Sequence, residues 1–152
     1  MQLVRVVYEL FEWDAEPFDR AEPLGSHQIH LEIQLLMVGG EGVYVAWDVW
    51  QKTPDDDPDW LPYAVGMSPQ PFCKQPAEIT RDMSASAVWK GLIGQEIDFA
   101  YLDPDHQILE IRGGSSAVYC SSYSTGLKFW GMDVLHVSAS RPTRTSPGGS
   151  KQ

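Results

Sequence analysis

The chain has 152 residues, 43% of them apolar and 17 aromatic, so it can bury the core of one domain and is not a disordered polymer. Its net charge of −10, from 11 basic and 21 acidic residues, argues against nucleic acid or an anionic membrane as partner. The charge is lopsided: residues 1–72 carry 13 acids against three bases, whereas residues 73–152 carry eight of each.

Residues 2–13, "QLVRVVYELFEW", read as a β-strand rich in β-branched and aromatic residues. They lack a basic start, an apolar run and a small-residue cleavage site, so they do not read as a signal peptide. Residues 14–27 read as a loop broken by Pro17, Pro23 and Gly25. In residues 28–38, Ile29, Leu31, Ile33, Leu35 and Met37 alternate with His30, Glu32 and Gln34, the pattern of one half-buried strand. "GGEG" (39–42) supplies positive-φ positions for a tight turn, and residues 43–50 return as the hairpin partner. Six prolines between positions 51 and 76 exclude a long helix or a central strand there. Residues 84–94, "SASAVWKGLIG", predict a short helix with Ser84 as N-cap and Gly91 or Gly94 at its end. Segments 95–103, 107–113, 117–123 and 132–139 then alternate between turns and predict an antiparallel meander burying Ile97, Phe99, Ile108, Val118 and Val134. Residues 140–152 lack apolar periodicity and read as a disordered basic tail behind a single globular domain, 1–139.

The expected fold is therefore mainly β (α+β): an antiparallel curled sheet, small barrel or sandwich of about seven strands with one short helix. No stretch reaches the ~18 apolar residues that cross a bilayer, no leader is read and two scattered cysteines make no disulfide framework, so a cytoplasmic protein is expected.

Chemistry-bearing motifs are scarce. Asp55, Asp57 and Asp59 have the spacing that opens an EF-hand, but Trp60 stands where its glycine belongs and Gly66 where its glutamate belongs. His27 and His30 are misplaced for a shared ligand pair on one strand face. His106 falls in a turn and reads as solvated. Cys120 with His136 would be a nucleophile–base pair lacking an orienting group; a buried thiol is the simpler reading. Asp98 and Glu110 would project from neighbouring strands as a carboxylate pair, which solvated sheet faces carry routinely. No GxSxG, GxGxxG, Walker A, HExxH or CxxC occurs, so no catalytic residue, metal or cofactor is expected and the chain does not read as an enzyme.

What stands out is charge beside tryptophan. "VWQKTPDDDPDW" sets Trp50 and Trp60 around Asp55, Asp56, Asp57 and Asp59, and residues 9–22 add Asp14, Glu16 and Asp19 as a further acidic stretch. Tryptophans supply contact area at interfaces, and carboxylates steer a basic partner to them.

A small, acidic, single-domain β protein of this kind resembles the immunity proteins of bacterial toxin–immunity systems. The rhythm of "WKGLIGQEIDFAYLDPDHQILEIRGG…VYCSSY…FWGMDVLHVS", over about residues 88–139, is similar to small bacterial families of helix-then-meander type. The resemblance implies a stoichiometric inhibitor of a cognate basic toxin, such as a nuclease; it assigns no residues. Two other readings stand beside it: a ligand-binding or enzymatic barrel with Cys120, His136 or Tyr119 lining an interior pocket, and a homodimer joined through its exposed aromatics.

Overall fold

A computed structural model describes residues 1–19, 25–49, 63–73, 76–122 and 135–142. The side chains of Asp19, Asp48, Val49 and Tyr63 are outside that description. The described residues form ten strands: β1 (Leu3–Leu10), β2 (Ser26–Ile29), β3 (Glu32–Met37), β4 (Gly42–Val49), β5 (Tyr63–Ser68), β6 (Ile79–Asp82), β7 (Asp98–Tyr101), β8 (Ile108–Gly113), β9 (Ser116–Ser121) and β10 (Leu135–Ser138). They make two antiparallel five-stranded sheets, ordered β5-β4-β3-β1-β6 and β2-β10-β9-β8-β7. The protein is mainly β and is not a closed barrel.

The two sheets share one hydrophobic cluster. Val6, Tyr8, Ile33, Leu35, Val45 and Val65 come to it from the first sheet, and Ile29, Leu109, Ile111, Val118, Cys120 and Val137 from the second. Strand alternation explains the selection, because every second residue of a strand turns to the same side. The predicted meander is present as β7–β10 in consecutive antiparallel pairing. Ile97 and Val118 enter the cluster and Phe99 packs against it. Ile108 is buried too, but outside the cluster: the register pairs Phe99 with Ile111 and Tyr101 with Leu109, so Leu109 and Ile111 take the inner face. The β3–β4 hairpin forms with both Gly39 and Gly40 at positive φ.

Three expectations are corrected. The count of about seven strands was low, partly because β5 and β6 lie in or just after the proline-rich middle. Both are edges of the first sheet, where proline nearby is tolerated. The predicted helix over 84–94 is a succession of turns. Lys90 N reaches Ser86 O, but Leu92 N reaches Trp89 O and Gln95 N reaches Leu92 O, so the i−4 pattern is not sustained. Ser84 does not cap a helix either; its hydroxyl accepts the Val6 N–H of β1 at 2.9 Å. Packing decides the outcome, since Val88, Trp89 and Leu92 all enter the shared core.

The third correction concerns residues 28–38, which are two strands in two different sheets. The break falls at His30, whose backbone N–H donates to Asp14 Oδ2 (3.2 Å) and whose carbonyl accepts from the Trp47 indole (3.1 Å). With both backbone groups satisfied by side chains, the chain leaves one ladder and joins the other without an orphaned polar group. The assigned tail, beyond residue 142, and Val134 lie outside the described residues. Among the described residues no helix is long and apolar enough to cross a membrane.

Candidate functional site

After β1 the chain turns through two 3-10 segments, Glu12–Asp14 and Glu16–Asp19. Three interactions hold the first in place. Asp14 is only 7% exposed, and its carboxylate accepts the His30 backbone N–H and, at 2.9 Å, the His30 ring through Nδ1. The Glu12 backbone N–H donates to Glu78 Oε1 at 2.9 Å. Phe18 packs from the second segment onto the core, edge-on to Tyr8.

On this base Trp13 projects outward. It is 65% exposed, the most exposed large apolar residue described. Phe11 stacks on its indole at 5.4 Å with planes 10° apart, and the His30 ring lies 4.7 Å away, tilted by 59°. Glu12 and Glu16, on the same stretch of chain, are exposed, as is Glu78, whose carboxylate accepts the Glu12 N–H. The result is an aromatic surface held by part-buried hydrogen bonds, on a turn that also carries exposed carboxylates. Such a surface suits a cation, which can lie against an indole while carboxylates accept its N–H groups.

The structure therefore sorts the sequence-nominated acids. Glu16 is exposed beside Trp13, whereas Asp14 faces inward and anchors the site from beneath. Asp19's side chain, Asp55, Asp56, Asp57, Asp59, Trp50 and Trp60 lie outside the described residues. Trp13 itself was not among the nominated residues, although its setting between Glu12 and Asp14 repeats the acid–tryptophan juxtaposition of Asp59 and Trp60.

The enzymatic arrangements do not assemble. Register pairs Val137 with Cys120 and His136 with Ser121, which puts Cys120 and His136 on opposite faces of the second sheet. Cys120 is fully buried, and burial pushes its thiol up to about 12. Burial also holds the His136 imidazole below its ordinary value. Tyr119 sits opposite Glu110, away from the core side that Cys120 occupies. Glu110 is bonded to Arg112 at 3.0 Å, and Arg112 stands across from Asp98, so a cation separates the two carboxylates. His106 is half-buried, not solvated: it stacks on Tyr101 at 3.9 Å, and its carbonyl accepts the Val65 N–H at 2.7 Å. Among the described residues, no three His, Cys, Asp or Glu side chains come together as a metal site.

Two buried polar groups escaped the sequence reading. In the core, the Trp89 indole N–H donates to the Tyr8 hydroxyl at 2.7 Å, and that hydroxyl meets His27 Nδ1 at 2.6 Å. Burial lowers the His27 imidazole to about 4 and raises the Tyr8 phenol well above its usual range. On the outer face of the first sheet, Glu9 and Glu32 stand opposite each other on β1 and β3. Burial first, then the hydrogen bond and charge of Glu32, raise the Glu9 carboxyl to about 7.

No family model matches the chain, and neither a curated protein nor a solved structure matches it.

Proposed function

We propose that the protein is a cytoplasmic, stoichiometric binding protein that neutralises a basic protein, in the manner of an immunity protein guarding against a basic toxin such as a nuclease. The observation that carries this reading is Trp13: a 65% exposed indole, held over the Asp14–His30 pair in a turn whose Glu12 and Glu16 are also exposed, in a chain of net charge −10. Exposed tryptophan is costly to leave on a surface without use and is enriched among residues that dominate binding. The carboxylates act chiefly on encounter, raising the association rate at low salt, and the indole on dissociation. A guanidinium or ammonium group of the partner lying on Trp13 unites the two contributions. Asp55, Asp56, Asp57, Asp59, Trp60 and Trp50 extend the same chemistry and belong to the proposal as a second arm of the surface.

The test begins with the wild-type chain as bait in extract of its native cells, beside Trp13→Ala and Glu12→Gln/Glu16→Gln. The proposal expects one basic protein, held one-to-one by the wild type, weakened by both variants and inhibited in its own activity on titration with the purified chain. Recovery of no basic protein, or equal retention by all three baits, overturns it.

A further inference from the structure

The strands β5 and β6 are the opposite edges of the first sheet, so the chain between them must pass β4, β3 and β1. It crosses on the outer face. Phe72 N–H and Cys73 N–H both donate to Glu32 Oε1, at 2.8 and 3.2 Å, and Glu32 lies on β3, the central strand. Glu32 points away from the shared core, because Ile33 and Leu35 take the inner positions, yet it is only 1% exposed. Directly across from it on β1 is Glu9.

Two carboxyl groups opposite each other in an antiparallel pair repel when both are ionised, and burial of one of them increases the cost. Among the described residues, the other groups facing the pair bring no positive charge. Tyr44 on β4 and Cys73 on the crossover are acids, and burial raises both, assisted by the charges of Glu9 and Glu32. Thr80 of β6 is across from Glu9. Further along the same face, Arg5 is engaged with Asp82 at 2.7 Å. Glu78, at the end of the crossover, bonds the Glu12 N–H. The two crossover N–H groups on Glu32 Oε1 favour the ionised form of Glu32, so Glu9 is the partner that holds the proton and donates.

We infer that Glu9 and Glu32 share a single proton that pins the β5–β6 crossover to the sheet, and that the crossover loosens when this proton leaves. While Glu9 is protonated, Glu32 receives three donors: two crossover N–H groups and the Glu9 hydroxyl. After deprotonation to solvent, the site holds two carboxylates, and water must enter beneath residues 72–73 to solvate the second charge. The raised value of about 7 for Glu9 puts this event near neutral pH. The crossover ends at Glu78, whose carboxylate accepts the N–H of Glu12 next to Trp13, so loosening also weakens the support of the aromatic surface; only this last consequence rests on the proposed binding function.

Amide exchange at Phe72 and Cys73, measured by NMR on the full chain from pH 5.5 to 8.5 and normalised to intrinsic rates, tests the pin. Protection should fall at least about tenfold as pH rises through neutrality, while the core amide of Val118 holds its protection. Glu9→Gln, whose amide remains neutral and still donates, should abolish the fall. A flat wild-type profile would mean that Glu9 simply swings into solvent and would overturn the inference, as would a Glu9→Gln profile that still falls. Carboxyl carbon titration of the wild type guards against a misfolded variant. The pin expects one coupled step near neutrality, and two independent steps in the ordinary glutamate range would refute it. No partner enters either readout, so failure of the binding proposal leaves this test intact.

Discussion

Replacing Tyr8 by phenylalanine removes one oxygen from the centre of the protein and tests how the two sheets and the 84–94 segment are held together. That hydroxyl accepts the Trp89 indole N–H at 2.7 Å and meets His27 Nδ1 at 2.6 Å. Its oxygen receives the indole proton and shares a second hydrogen bond with Nδ1 of the neutral His27 ring. Tyr8 and Trp89 are completely buried and His27 nearly so. Phenylalanine keeps the ring packing against Phe18 and His27 but strands the Trp89 indole N–H and His27 Nδ1. Each stranded group costs about 1–3 kcal/mol, so the loss should be about 2–6 kcal/mol. In a chain of this size that lowers Tm by roughly 5–15 °C. Urea unfolding followed by tryptophan fluorescence measures the change directly, and the m-value should stay constant. A loss below about 1 kcal/mol would refute the reasoning, because it would mean that water or repacking satisfies both groups at no cost.

Asp14→Ala should destabilise by about 2 kcal/mol, since it strands the His30 N–H at the corner where β2 gives way to β3; thermal melts check it, and an unchanged Tm contradicts the anchoring role. Leu109→Ala, on the inner face of β8, should cost about 2–5 kcal/mol, whereas Ile108→Ala on the other face should cost less; denaturant midpoints decide. Stability should also show two opposed pH dependences. His27, depressed when folded, contributes stability that is present above about 6.5 and lost as pH falls towards about 4, by about 3 kcal/mol at most. Glu9, raised when folded, contributes stability that is present below about 4.5 and lost as pH rises towards about 7, a smaller effect because the group is partly solvated. The two offset each other between pH 4.5 and 6.5, so Glu9→Gln should expose a steeper loss of stability on acidification than the wild type shows. Parallel curves for wild type and variant would contradict the Glu9 assignment, and a variant that loses no stability between pH 6.5 and 4 would contradict that of His27.

Period-two alternation made the β3–β4 hairpin and the β7–β10 meander legible, because each strand buries one face and the turns carry glycine or aspartate where the chain must reverse. Alternation says nothing about which sheet a strand joins, and so residues 28–38 read as one strand. The corner at His30 depends on Asp14 and Trp47, both 16 or more residues away in sequence. Residues 84–94 failed as a helix for a related reason: Ser84 had a better acceptor role against Val6 than as a cap, and the three apolar side chains docked individually. At the candidate site, charge beside tryptophan was readable, but the inward turn of Asp14 and the outward turn of Trp13 were not, since a 3-10 turn has neither the strand nor the helix period. The Glu9–Glu32 and Tyr8–His27 pairs were invisible because they join elements across the fold.

The central claim is that the Trp13 surface binds a basic protein, and the direct measurement is the affinity of wild type and Trp13→Ala for the basic protein retained from native cells. The account predicts that Trp13→Ala weakens binding by about 2 kcal/mol or more, roughly thirtyfold, chiefly through faster dissociation. It also predicts that the same variant unfolds within about 1 kcal/mol of wild type, because the side chain is mostly in solvent. Equal affinities for the two proteins, with both fully folded, would contradict it.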